Sequence, residues 1–392
     1  MSDNRNIVRW IRSAFGFDRQ SNGRGDPLKI LVPLVSIALA LILGMVVIAV
    51  SGRDPFEAYA LLFGDSGLIP GSASWKREFA ELLLKTALYS ATGLSIAMAF
   101  KAGLFNIGAE GQFWVGAIAA TFIGYWGPFA HLPRVIHPAV CILFAMLAGG
   151  CWAALAGYLK VKRGVNEVIG TIMLNWTAWF LITGWLVLGP MAPIATKFIS
   201  GTYYIAETAK LTRIMPPTRL NTSILIALVA AYATWFLLYK TTIGYEIRAI
   251  GHTAVLGMEA PRAQGINVNK RIVQAMFLAG ALSGLGGAFF ILGLQFQFPN
   301  TAIMGYGWTG IGIALIGQGE PFGVILSSLF IAALRTGATS MQVAGIPKTF
   351  SNIIEGLAVG FIALQVAVRF YLVKLMERRR LRKAAPESKE AV

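Results

Sequence analysis

Ile30-Leu-Val-Pro-Leu-Val-Ser-Ile-Ala-Leu-Ala-Leu-Ile-Leu-Gly-Met-Val-Val-Ile-Ala-Val50 carries no charge from end to end. A hydrocarbon core of about 30 Å is crossed by about 20 helical residues, so this stretch has the length of a membrane span. Further apolar runs, bounded by charge or by Gly and Pro, lie at 82–100, 104–126, 138–159, 167–189, 221–239, 273–294, 307–318, 322–337 and 349–373. With no water to satisfy exposed backbone groups, such runs must be helices, and the alternation of a membrane β-barrel is missing. The expected fold is an all-α polytopic membrane protein with about ten transmembrane helices.

Composition agrees: 56% of residues are hydrophobic and 13% charged, and the mean hydropathy is +0.64. The net charge of +16 suggests nucleic acid at first sight, yet the basic residues gather where helices leave the membrane, as cytoplasmic loops do. Arg5, Arg9, Arg12, Arg19, Arg24 and Lys29 precede the first run, and Lys374, Arg378, Arg379, Arg380, Arg382 and Lys383 follow the last. Both termini are therefore expected on the cytoplasmic side, with the first run retained rather than cleaved as a signal peptide. Three parts are expected: a basic cytoplasmic segment at 1–29, a membrane domain at 30–373, and a basic tail at 374–392. Lipid contact is the role expected of the two tails.

Trp308 to Gln318 is too short to span, and Gly-Gln-Gly-Glu-Pro (317–321) interrupts it. A broken or re-entrant helix is expected there, with a tight hairpin between tilted helices as the other reading. Trp114-Val-Gly116-Ala-Ile-Ala119 is echoed by Trp308-Thr-Gly310-Ile-Gly-Ile-Ala314, and His137-Pro138 by Glu320-Pro321. In the expected topology the echoed helices run in opposite directions, which is the signature of a five-plus-five inverted repeat.

Gly103-Leu-Phe-Asn106-Ile-Gly108-Ala-Glu110-Gly111-Gln112 sets Asn, Glu and Gln among glycines between two apolar runs. A carboxylate at membrane depth is costly, so a buried, bent segment with paired or cavity-facing groups is expected. Asn166, Asn175, Asn352 and Glu355 are further polar groups within or beside the runs; helix-to-helix bonding explains them as well as a pathway does. Glu81 and Lys85, four apart, are expected to pair near the outer surface. Gly280 to Gly287 reads as a close-packing helix face.

Several chemistries are excluded or disfavoured. Cys141 and Cys151 lie too far apart on one helix to form a disulfide and read as small core residues; His131, His137 and His252, expected in loops, share no metal-ligand spacing with them. No phosphate loop is present, and Gly305-Tyr-Gly307-Trp-Thr-Gly310 lacks the βαβ setting of a dinucleotide site. No nucleophile–base grouping with His suggests an enzyme.

The loop at 240–271 carries Lys240, Arg248, Arg262, Lys270 and Arg271, with helix-compatible stretches at 245–250 and 253–264 and Gly265 placed to end the second. Its Glu259-Ala-Pro-Arg-Ala-Gln-Gly265 resembles the Glu-Ala-Ala-x-x-x-Gly pattern by which bacterial ABC importer permeases dock their ATPases, with Pro261 in place of the second Ala. Together with Phe105-Asn106-Ile-Gly-Ala-Glu110-Gly111-Gln112, Asn166–Asn175 and Gly305–Gln318, it makes the chain resemble the permeases of branched-chain amino acid, ribose and nucleoside ABC importers, most of all the nucleoside or simple-sugar branch.

That resemblance implies a non-enzymatic permease subunit in a bacterial plasma membrane, passing a small polar solute. Its implied partners are cytoplasmic ABC ATPases, a second permease subunit of like or unlike sequence, and an extracytoplasmic solute-binding protein; no nucleic acid is involved. No cofactor is expected in this chain, ATP being bound by the partner ATPases. Asn106, Glu110, Gln112, Asn166, Asn175 and Trp308 are the expected pathway residues, Trp308 as a ring on which a base or sugar stacks. Arg248, Glu259, Ala260 and Gly265 are the expected coupling residues. The competing reading is an ion-coupled secondary transporter using Glu110 or Glu355 as its proton carrier.

Overall fold

The computed structural model describes residues 28–71, 74–129, 131–192, 201–253, 259–300 and 305–364. Among them the chain is helical, and two isolated bridges, Gly201 with Pro299 and Arg213 with Asn221, stand in place of any strand. The helices are α1 (Leu28–Val50), α2 (Pro55–Gly64), α3 (Trp75–Lys101), α4 (Ala109–Tyr125), α5 (Ile136–Arg163), α6 (Glu167–Trp179), α7 (Ser223–Lys240) and α8 (Thr242–Thr253). They continue with α9 (Glu259–Ala263), α10 (Val268–Phe290), α11 (Tyr306–Ile316), α12 (Pro321–Val343) and α13 (Thr349–Ala363). Helices α6 and α10 each pass into wider π turns, at Phe180–Leu186 and Ile291–Gln295.

The chain forms two units, Met1–Phe56 with Thr349–Val392, and Glu57–Lys348. In the first, α1 buries Ser36, Ala40, Gly44 and Ile48, and α13 buries Ser351, Ile354, Ala358 and Ile362. Both stripes recur at helical spacing, and the Ser36 hydroxyl donates to the Phe361 carbonyl at 3.4 Å. The basic segments 1–27 and 374–392 lie outside the described residues.

In the second unit α3 and α10 are central and covered on nearly all sides, whereas α5, α6 and α7 expose large apolar residues such as Leu143, Phe144, Met173, Trp176, Leu225 and Val229. In water such faces would be aggregation sites; in lipid they are the expected outer surface. Seven described helices are long and apolar enough to cross a membrane: those of α1, α3, α5, α6 with its π turns, α7, α10 with its π turns, and α12. The expected third run, 104–126, is helical only from Ala109, and the eighth is α11, whose 11 residues are too few to span alone.

Glycine contacts bring α4, α5 and α10 together. A Cβ on Gly284 would sit 2.3 Å from the Ala145 carbonyl oxygen, one on Gly280 2.3 Å from that of Gly149, and one on Gly287 2.2 Å from that of Phe113. Where association cannot draw on the hydrophobic effect, such close backbone approach supplies the dispersion contact. The Gly280–Gly287 face is thus a packing face.

Two local expectations are corrected, and the third, the pairing of Lys85 with Glu81, gains partners on another helix. Cys141 is buried but Cys151 is exposed, because ten residues of helix turn it to a different side of α5. His137 and His252 lie on α5 and α8 rather than in loops, and His137 is fully buried, its ring nitrogens 2.8 Å from Thr208 Oγ1 and 3.2 Å from the Ile123 carbonyl. Lys85 donates across to the Arg335 carbonyl (3.2 Å) and Thr336 Oγ1 (3.3 Å), so it faces α12.

Candidate functional site

Helix α3 serves as a ruler for depth. The Tyr89 ring meets Tyr306 at 5.7 Å, and Lys101 Nζ binds Glu320 Oε1 at 2.6 Å. Helix α11 therefore runs beside the second half of α3, starting near the midpoint and ending level with Lys101. Eleven residues rise roughly 16 Å, about half a bilayer core. The break at 317–320 is a turn with positive φ at Gln318 (55°) and Gly319 (63°), after which Pro321 opens α12 in its first turn.

Helix α4 also starts at mid-depth. Gly103, with φ of 70°, closes α3: its N–H donates to the Phe100 carbonyl and that of Leu104 to the Ala99 carbonyl, both at 3.0 Å. The chain then runs as 103–108 to Ala109. There the first turn of α4 meets the first turn of α11 so closely that a Cβ on Gly307 would lie 2.2 Å from the Glu110 backbone nitrogen.

Glu110 joins these two helix starts. Its Oε1 accepts from the Gly305 N–H (2.7 Å) and the Trp114 indole N–H (3.0 Å), and its Oε2 from the Gly307 N–H (2.6 Å). A helix start leaves backbone donors orphaned and carries partial positive charge, so a carboxylate there is stabilised twice over. Asn106 and Gln112 are fully buried and satisfy one another through two amide bonds of 2.9 and 3.0 Å, Asn106 Oδ1 also taking the Gly108 N–H at 3.0 Å. Asn175, from α6, takes the Gly111 N–H (2.8 Å) and donates to the Ile107 carbonyl (2.9 Å). Ser283 from α10 donates to the Ala109 carbonyl. Polar atoms buried at this depth need partners, and these groups supply them to one another and to the bent backbone.

Of the expected pathway residues, Asn106, Glu110, Gln112 and Asn175 thus come together in one buried network. Asn166 lies elsewhere: it is exposed and caps α6, accepting from the Val168 and Ile169 N–H groups. Trp308 is on α11 with 45% of its surface exposed. A second mid-depth cluster escaped the sequence reading. Arg335 Nη2 donates to Thr309 Oγ1 at 2.9 Å and its guanidinium lies 5.3 Å from the centre of the Tyr89 ring, beside Lys85. The available signal was a lone arginine inside the apolar run 322–337.

At the Lys101 end, Glu320 also accepts from the Tyr239 hydroxyl (2.6 Å to Oε2), and the Arg248 guanidinium lies 4.8 Å from the Tyr239 ring centre while its Nε donates to the Leu238 carbonyl. Helix α8 presses onto the end of α3, since a Cβ on Gly251 would sit 2.2 Å from the Lys101 carbonyl oxygen. Residues 254–258 and the Glu259 side chain lie outside the described residues. Helix α9 ends as expected at Gly265 (φ 79°): its N–H donates to the Arg262 carbonyl and that of Ile266 to the Pro261 carbonyl. Ala260 is exposed on it. Arg271 donates to Glu246 at 2.6 Å, tying α8 to the start of α10, and that bond holds the Glu246 carboxyl below its ordinary value. Among the described residues no group of His, Cys, Asp or Glu is arranged to hold a metal.

Residues 79–363 match the family described as branched-chain amino acid transport system / permease component. The chain is 34% identical to the guanosine ABC transporter permease protein NupP of Bacillus subtilis, over 89% of this chain and 97% of that protein. It is 31% identical to the nucleoside ABC transporter permease protein NupB of Lactococcus lactis, over 88% and 94%. It is 30% identical to the glucose ABC transporter permease protein TsgB13 of Haloferax volcanii, over 89% and 90%. No solved structure matches.

Proposed function

Because this chain belongs to the branched-chain amino acid transport system permease family and is a multi-pass plasma-membrane permease of an ATP-driven ABC importer, we propose that its solute is a nucleoside, with a simple sugar as the second reading. One observation carries this: the two most similar of these relatives are named for guanosine and nucleoside transport and align over nearly their whole lengths. The glucose permease, at 30% identity, supports the second reading.

The proposed assembly pairs this chain with a second permease subunit, two cytoplasmic ATPases that bind the ATP, and an extracytoplasmic solute-binding protein. Both termini face the cytoplasm in this arrangement, and so does the Lys101 end with α8 and α9. Arg248, Glu259, Ala260 and Gly265 lie on or beside the two short helices that would sit in an ATPase groove. Movement of α8 reaches Lys101 through the Gly251 contact, and from there the 103–108 segment leads to Glu110 and the start of α11. ATP-driven motion is thereby passed to the mid-depth junction as a shift of packed elements. Asn106, Gln112 and Asn175 act beside the path by holding the bent backbone, Asn166 by starting α6, and Trp308 by offering its ring to the solute.

The ion-coupled alternative is not favoured, since the Glu110 carboxylate is engaged by backbone donors at a helix start. Uptake of labelled nucleosides and monosaccharides by vesicles holding the assembled importer tests the proposal. Nucleoside uptake that requires ATP is expected; uptake driven by a proton gradient without any ATPase, or uptake of sugars alone, would refute it.

A further inference from the structure

We propose that the turn at 212–222 docks an acidic patch of the extracytoplasmic solute-binding protein through Arg213 and Arg219. The importer reading above supplies that protein and places this end of the helices outside, and the docking site rests on it.

The charge of this turn is out of place for an outer loop. Segments outside the membrane are expected to be poor in Lys and Arg, yet 187–222 holds Lys197, Lys210, Arg213 and Arg219 against a single acid, Glu207. Lys210 pairs with Glu207. Arg213 and Arg219 are exposed, and among the described residues neither has an ion-pair partner.

The two arginines are held together on a rigid base. The Ile214 N–H donates to the Leu220 carbonyl (2.8 Å) and that of Thr222 to the Thr212 carbonyl (3.1 Å), on either side of the bridge between Arg213 and Asn221. Asn221 Nδ2 donates to the Arg219 carbonyl (3.1 Å) and to the Gly293 carbonyl (3.0 Å), and the Leu211 N–H to that of Leu292 (3.0 Å). The turn is therefore rooted on the π turns that end α10. Between the arginines it exposes Ile214, Pro216 and Pro217, whose two rings fix φ. A platform ordered before binding loses little freedom when a partner arrives.

The chemistry and the position of the turn choose the partner. Guanidinium groups only donate, and their fork matches a carboxylate, which makes an acidic protein surface the complement. Arginines beside small apolar residues also suit a protein interface, where arginine is enriched. Anionic lipid headgroups would meet the same donors, but the turn stands on α10, which is covered by other helices on nearly all sides. What reaches its arginines comes from the aqueous side, over the middle of the helices, which is where a protein delivering solute must approach.

The test measures binding of the importer's own purified solute-binding protein to the whole importer in lipid nanodiscs, once in phosphatidylcholine and once with phosphatidylglycerol added. Reversing both charges, Arg213→Glu with Arg219→Glu, should raise Kd about tenfold at low salt in both lipids. The gap should close at about 1 M salt, where charges are screened within about 3 Å. Arg213→Lys with Arg219→Lys keeps the charge and should lie nearer to wild type than the reversal does. Both importers should melt with the wild type, since the turn is bonded through backbone groups and Asn221. An unchanged Kd in the reversal, a gap that salt does not touch, or a change confined to the discs with phosphatidylglycerol would overturn the docking site and leave the importer standing. Wild-type uptake that needs no binding protein would remove the importer reading itself.

Discussion

Glu110 shows how one side chain can look like a proton carrier in sequence and be a fastener in space. Both its oxygens accept hydrogen bonds, two of them from the first turn of another helix. Glu110→Gln offers an amide NH2 to a backbone N–H, leaving a buried donor unsatisfied at a cost of about 1–3 kcal/mol. We expect a lower melting temperature in detergent and partial uptake with an unaltered pH profile; abolished uptake together with a lost pH profile would point to proton coupling instead. Gly284 is a second residue whose size matters more than its chemistry, because a side chain would drive into the Ala145 carbonyl. Gly284→Val should abolish stable folding, seen as loss of the monodisperse peak on size exclusion, whereas Gly265→Ala, with open space around it, should cost only the strain of a positive φ.

Elements α8 and α9 are where nucleotide-driven work is expected to enter. Gly265→Pro is incompatible with the φ of 79° that closes α9, yet no neighbour packs on it. This variant and Glu259→Arg should insert and fold normally while uptake is lost, with ATP hydrolysis no longer stimulated by loaded binding protein. Normal uptake in both would remove the coupling assignment. The contact of α8 with α10 should also respond to pH. Arg271 depresses the Glu246 carboxyl, so the pair contributes above the unfolded glutamate value of about 4.3 and that contribution is lost as pH falls through the lower folded value. Melting curves from pH 7 to pH 3 should show a smaller acid-induced drop in Arg271→Gln than in wild type, and identical drops would place the acid sensitivity elsewhere.

At the scale of the molecule, helix class was legible because uncharged runs near 20 residues leave the backbone no other solution in lipid, whereas of about ten expected crossings seven described helices have the length to span. The small-residue face at Gly280–Gly287, the end of α9 at Gly265 and the shortness of α11 were legible for the same kind of local reason, since each follows from what a few residues do to backbone geometry. The partners of polar side chains were not. Asn106 with Gln112, Glu110 with Gly305 and Gly307, and Lys85 with Thr336 join positions 6 to 251 residues apart, and no local pattern records which distant donor will arrive. Arg335 went unread because one arginine in an apolar run means nothing until Thr309 and Tyr89 surround it. The amino-acid order alone thus determined a helical membrane protein with a broken helix and a basic, helix-forming loop between α7 and α10, because solvation and local geometry act residue by residue. Which polar groups fasten the frame was decided only when the start of α4 met the start of the half-length α11, since hydrogen bonds are allotted by proximity in space.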